Sequence, residues 1–125
     1  MKVRKIHNNG NHLIVDGTDV ESKLLDNKKL IKNLLKELPS VVGMHTLTRP
    51  RVIRATQKEW DTGGITGFVI LSESNISIHT YPLEGRFYLD LFSCMEFDVD
   101  KAVDYLKDKL QLKNFKKTLL KRGDY

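Results

Sequence analysis

The segment that most constrains this chain is Ile65–Leu71, ITGFVIL, seven residues whose only polar side chain is the hydroxyl of Thr66. It is too short for an ordinary helix. Gly63-Gly64 precedes it and Ser72-Glu73-Ser74 follows, so it reads as a strand, and its near-continuous apolarity predicts a central strand buried on both faces of a sheet. The neighbouring segments fit that reading. Ile76, Ile78 and the stretch to Tyr81-Pro82 alternate, as does Arg86–Ser93, with a turn at Glu84-Gly85 between them. His12 to Asp16 (HLIVD) is short, apolar and β-branched. VVGMHTLT and RVIRAT look like two strands around Arg49-Pro50, and residues 112–121 like a final basic strand.

Only two segments carry helical spacing. Leu30, Ile31, Leu34, Leu35 and Leu38 form one apolar stripe, with Asp26 as the expected N-cap and Pro39 as the expected stop. Val99, Ala102, Val103, Leu106 and Leu110 form the other, capped by Asp98. The order β, α, several β, α, β predicts an α+β two-layer sandwich, with both helices packed on one face of a mostly antiparallel sheet.

With 125 residues the chain is expected to form a single domain, 1–125. No apolar run approaches the roughly 20 residues that span a bilayer, and the first residues, MKVRKIHNNGNH, lack the apolar centre of a secretory signal. A cytoplasmic address and no membrane partner are expected. The one cysteine, Cys94, excludes an intramolecular disulfide, and no Cys/His cluster has the spacing of a metal site. The net charge is +5, and residues 101–125 alone carry eight Lys/Arg against three Asp. No nucleic-acid motif or basic-aromatic interleaving accompanies this excess, so it reads as a solvated face that also blunts a sheet edge, and a nucleic-acid partner is not expected.

The chemistry-bearing stretch is Ser72-Glu73-Ser74-Asn75-Ile76-Ser77-Ile78-His79-Thr80-Tyr81-Pro82, with Cys94 one hairpin further on. A serine near a histidine suggests a hydrolase, but Gly-x-Ser-x-Gly is absent and nothing marks a third triad member. A cysteine and a histidine suggest a thiol protease, yet the local signatures of those families are missing. Taken singly, Ser74-Asn75 reads as a turn, His79 as a strand histidine and Cys94 as a small buried hydrophobe.

Taken together they read differently. Glu73-Ser74, His79 five residues after the serine and Cys94 twenty after it, within GITGFVILSESNISIHTYPLEGRFYLDLFSC, resemble the prokaryotic type of S-adenosylmethionine decarboxylase, a self-cleaving pyruvoyl enzyme. The resemblance extends to both helices and the early His-Leu strand. It implies self-cleavage between Glu73 and Ser74 into chains 1–73 and 74–125, with Ser74 becoming the pyruvoyl cofactor that binds the substrate amine. It implies His79 as the processing base, a role suited to a side chain that exchanges protons near neutrality. It implies Cys94 as the donor that returns a proton to the substrate after CO2 leaves. The partners it implies are a small-molecule substrate and a second copy, in a homodimer of two-chain protomers serving polyamine synthesis.

Gly63-Gly64 and Gly67 are read as allowing close backbone approach or strained torsions near the site. Thr66 stands where the family has serine and keeps a hydroxyl for processing or binding. Tyr81 and the loop residue Trp60 are candidate stacking partners for an adenine. Leu83 stands where the family has a glutamate associated with ribose hydroxyls, and Glu84, shifted by one position, is the substrate-binding candidate if a bulge or turn brings it back. That departure keeps open a second substrate class, arginine or ornithine, on the same scaffold. A third reading is a non-catalytic basic binding protein.

Overall fold

A computed structural model describes residues 9–56 and 63–123. Six strands, β1 (Gly10–Thr18), β2 (Arg51–Arg54), β3 (Ile65–Leu71), β4 (Ser74–Tyr81), β5 (Arg86–Ser93) and β6 (Asn114–Arg122), form one sheet in the order β2-β3-β4-β5-β1-β6. Every pairing is antiparallel. Helices α1 (Ser22–Leu25), α2 (Lys28–Val41) and α3 (Val99–Leu110) complete the order, and the buried residues of all three join those of one sheet face in a single core. The fold is the expected α+β two-layer sandwich, with a short third helix that the sequence pattern did not reveal. Among the described residues no helix is long and apolar enough to cross a membrane.

The core is built by alternation. Leu13, Val15, Val69, Leu71, Ile76, Ile78, Leu89 and Leu91 point to the helices, where Ile31, Leu34, Leu35, Leu38, Leu106 and Leu110 meet them. Each such side chain contributes about 1.5–3 kcal/mol on leaving water. Gly67 is where α2 comes closest, since a Cβ there would stand 2.6 Å from Leu35 Cδ1.

Four expectations need correction. Ile65–Leu71 is not buried on both faces: Ile65, Val69 and Leu71 are buried, while Phe68 and Ile70 are 42% and 46% exposed. Among the described residues helices cover only one side, and the second apolar row of this strand stays exposed. The cap of α2 is Asn27, whose side chain accepts from the Leu30 amide, while Asp26 pairs with Arg54. Pro39 does not stop α2, which continues to Val41. The ladder bond that proline cannot donate is lost one turn from the end, where burial of Leu38 and Pro39 holds the helix together. Residues 41–48 are therefore not a strand. The chain leaves α2 through Gly43, whose φ of +75° is left-handed, and meets the sheet at a bridge between Thr46 and Leu71, with Leu47 and Thr48 also hydrogen-bonded to Ile70.

Candidate active site

β3 and β4 are joined by a two-residue turn, Ser72-Glu73, between the paired residues Leu71 and Ser74. Glu73 has φ of +60°. Of the common turns, type II is the one that needs a positive φ only at the second central residue, and it normally places glycine or asparagine there. A glutamate in this conformation costs on the order of 1–2 kcal/mol. The strain therefore lies on the residue whose carbonyl the resemblance makes the point of cleavage, while Gly63 and Gly64 take positive φ without that cost, Gly64 lying close against the Thr80 carbonyl.

That carbonyl is also held. The Cys94 amide donates to the Glu73 oxygen at 3.2 Å, reaching across from the end of β5. A donor so placed polarises the carbonyl and favours any negative charge that forms on its oxygen. Ser74 opens β4 on the helix-covered face and is 7% exposed. Its Oγ lies 2.7 Å from Ser93 Oγ and 3.2 Å from the Ser72 carbonyl. Glu73, Ser74 and Cys94 are thus brought together by the turn and by the end of the neighbouring strand.

His79 is elsewhere. An odd separation of five residues on β4 places it on the open face, and at about 3.3 Å per residue it lies roughly 16 Å along the strand from Ser74. There it joins a second group. Thr66 is its cross-strand partner, with Thr66 Oγ1 and His79 Nδ1 3.0 Å apart. Tyr88 is its partner on the other side, and the Tyr81 and Tyr88 rings meet edge to face with centroids 5.4 Å apart. Beyond Tyr81 a single 3-10 turn, Pro82–Glu84, carries Leu83 85% exposed, while Glu84 is ion-paired with Arg86. Trp60 lies outside the described residues.

One participant was not anticipated. Ser93 is fully buried at the end of β5, where the inward positions otherwise read Phe87, Leu89 and Leu91. A hydroxyl at an apolar beat of an alternating strand was the signal available in the sequence. On the open face His12 Nε2 lies 2.9 Å from Asp90 Oδ1, within hydrogen-bond distance.

The comparisons with known proteins give the family of the chain. The family profile described as S-adenosylmethionine decarboxylase matches residues 11–123. An S-adenosylmethionine decarboxylase proenzyme from Archaeoglobus fulgidus is 30% identical over 115 residues, covering 91% of this chain and 97% of that protein. One from Thermotoga petrophila is 33% identical over 118 residues, covering 93% and 85%. The crystal structure of the adenosylmethionine decarboxylase from Aquifex aeolicus superposes with a TM-score of 0.76 at 26% identity, covering 98% of this chain and 95% of that one. With a strained and polarised Glu73 carbonyl directly before the buried Ser74 hydroxyl, and a matching profile over nearly its whole length, this chain belongs to the S-adenosylmethionine decarboxylase family.

Proposed function

We propose that the chain is a single-domain proenzyme that cuts itself between Glu73 and Ser74 and then decarboxylates S-adenosylmethionine in the cytoplasm, supplying the aminopropyl donor for polyamine synthesis. The observation that carries this reading is the Glu73–Ser74 peptide itself, with Glu73 at φ +60°, its carbonyl oxygen accepting from the Cys94 amide, and the Ser74 hydroxyl on the adjoining residue. Ser74 Oγ attacks the Glu73 carbonyl carbon. The C–N bond breaks, the hydroxyl proton ends on the Ser74 nitrogen, and the peptide becomes an ester. A base removes the Ser74 α-hydrogen and the ester C–O bond breaks, releasing the Glu73 carboxylate as the end of chain 1–73. Water then displaces ammonia from residue 74, leaving a ketone at the head of chain 74–125.

The residues around Ser74 suit such a group. It would head β4, beside the Cys94 amide that had held the lost carbonyl. A pyruvoyl group supplies the electron sink that no ordinary side chain offers a decarboxylation. Cys94, half-buried one strand away, is the residue to return the proton to the substrate α-carbon. Thr66 orients the His79 imidazole, and Tyr81 is placed to stack on an adenine, with Trp60 as its proposed counterpart.

Within one protomer His79 is too far from Ser74 to remove its α-hydrogen. We place the two in register across a homodimer. Phe68, Ile70 and Tyr88 leave apolar surface on the open face, with Ile53 and Leu120 on the flanking strands. Packing two such faces about a two-fold axis that runs across the strands reverses one sheet end for end, bringing each Ser72-Glu73 turn towards the partner's His79 row.

A second reading, decarboxylation of arginine or ornithine, is favoured by one observation: Leu83 is exposed and Glu84 is engaged by Arg86, so neither is free to take a ribose. Intact-mass measurement tests the shared chemistry. Fragments of residues 1–73 and 74–125, the second reacting with a carbonyl-trapping reagent, are expected, and a single unreactive 14.4 kDa chain overturns the assignment. Release of CO2 from each candidate substrate then separates the two readings.

A further inference from the structure

Ser74 and Ser93 are direct cross-strand partners on β4 and β5. Opposed Cβ atoms in an antiparallel pair stand about 4.5–5.5 Å apart, close enough for two short hydroxyl side chains to meet. Here they do, at 2.7 Å between oxygens, buried at the rim of the helix-covered face. Ser93 Oγ is itself fixed, because it accepts the Met95 amide at 2.9 Å. A buried hydroxyl without partners is costly, and both of these have them.

The next residue holds the other reacting group. Cys94 donates its amide to the Glu73 carbonyl oxygen, so residues 93 and 94 together grip the nucleophile and the group it attacks. A serine side chain otherwise turns among three staggered rotamers, and only some of them bring Oγ against the preceding carbonyl carbon. The competing contact, from Ser74 Oγ to the Ser72 carbonyl, is longer at 3.2 Å.

We propose that Ser93 is a positioning residue for self-cleavage: its hydroxyl holds Ser74 Oγ beside the Glu73 carbonyl carbon, so that attack proceeds from a fixed rotamer. This rests on the self-cleavage reading. Ser93 contributes no atom to the products. The bond formed is Ser74 Oγ to the Glu73 carbonyl carbon, the bond broken is Glu73 C to Ser74 N, and the proton passes from oxygen to nitrogen within that pair.

The test follows scission of freshly translated precursor by intact mass in the parent chain, Ser93→Ala, Ser93→Thr and Ser93→Val. Thr and Val have nearly the same shape and differ in the hydroxyl, so they give the answer even if Ser93→Ala fails to fold. Ser93→Thr is expected within a few-fold of the parent rate, and Ser93→Ala and Ser93→Val about tenfold to a hundredfold slower, the usual cost of a misplaced reacting group. Hydroxylamine, which cleaves an accumulated ester, is expected to release no extra fragments from Ser93→Val, because the ester forms slowly there. If the parent does not split, the self-cleavage reading fails. If the parent splits and Ser93→Val keeps pace with Ser93→Thr, the positioning role alone is overturned. It is equally overturned if hydroxylamine cuts Ser93→Val quickly, since Ser93 would then act after the ester.

Discussion

On the helix-covered face of the sheet Leu13, Val69, Ile76, Ile78, Leu89 and Leu91 are out of water, while on the other face Phe68, Ile70 and Tyr88, each next to one of them in sequence, remain exposed. Both faces come from the same alternating strands, so alternation decides which residues share a face, and cover decides whether that face becomes a core. The candidate chemistry is divided between them. Ser74 and Ser93 sit at the rim of the covered face, and Thr66, His79 and Tyr81 on the open one. Stability should therefore depend on one face and completion of the site on contact through the other.

The largest effect tests that division directly. Ser74→Ala should remain one uncut chain and His79→Ala should stall at the ester, so that hydroxylamine still splits it. Mixing the two variants under conditions that exchange subunits should restore scission of the His79→Ala chain, using the imidazole of the Ser74→Ala partner. If intact mass shows no recovery although mixed dimers form, the base acts within one protomer and the comparison breaks.

Next come paired substitutions on the two faces. Leu89→Ala should cost about 3 kcal/mol in urea unfolding, the usual penalty for a buried leucine, with scission unchanged under native conditions. Ile70→Lys should change protomer stability by less than about 0.5 kcal/mol. It should nevertheless shift sedimentation from dimer to monomer and slow scission as His79→Ala does. Equal destabilisation by both would mean that the open face is as well packed as the other. Cys94→Ala is expected to leave scission nearly intact, because the amide that holds Glu73 belongs to the backbone, while lowering turnover about tenfold or hastening inactivation. Unchanged turnover would remove the thiol from the reaction.

The smallest effect lies far from the site. Tyr105 on α3 donates to Glu37 on α2 at 2.6 Å, which lowers the Glu37 carboxyl below its ordinary 4.5, while burial, and after it this bond, raises the Tyr105 phenol. A lowered carboxyl contributes fully above the unfolded value and loses its contribution as pH falls through the folded one. Tyr105→Phe should therefore cost under about 1 kcal/mol at neutral pH, since Glu37 is exposed to solvent, and progressively less as pH falls below the carboxyl's ordinary value. A cost that persists in acid would assign the tyrosine to packing instead.

Much of this was legible along the chain. The period of two in Arg86–Ser93 and the helical stripe from Leu30 to Leu38 fixed the strands, the second helix and the layer arrangement, because burial repeats with the backbone's own period. The Glu73-Ser74, His79 and Cys94 residues pointed to the family through their resemblance to it, while singly each read as structural. The end of α2 was misread because proline's local preference is weaker than the burial of Leu38 and Pro39. Ile65–Leu71 was misread as doubly covered because an apolar row facing a helix and one left exposed look alike in sequence.

The sequence alone determined what is periodic or adjacent: the six strands of the sheet, the two longer helices, the alternation of faces along each strand, and that a serine follows a glutamate between two strands. Tertiary structure decided what depends on distant parts of the chain meeting. It placed Ser93 and the Cys94 amide against the Glu73–Ser74 peptide and put the left-handed torsion on Glu73. The physical reason is range. Periodicity is written into neighbouring residues, whereas hydrogen bonds between residues nineteen or more positions apart exist only after the sheet has chosen its register.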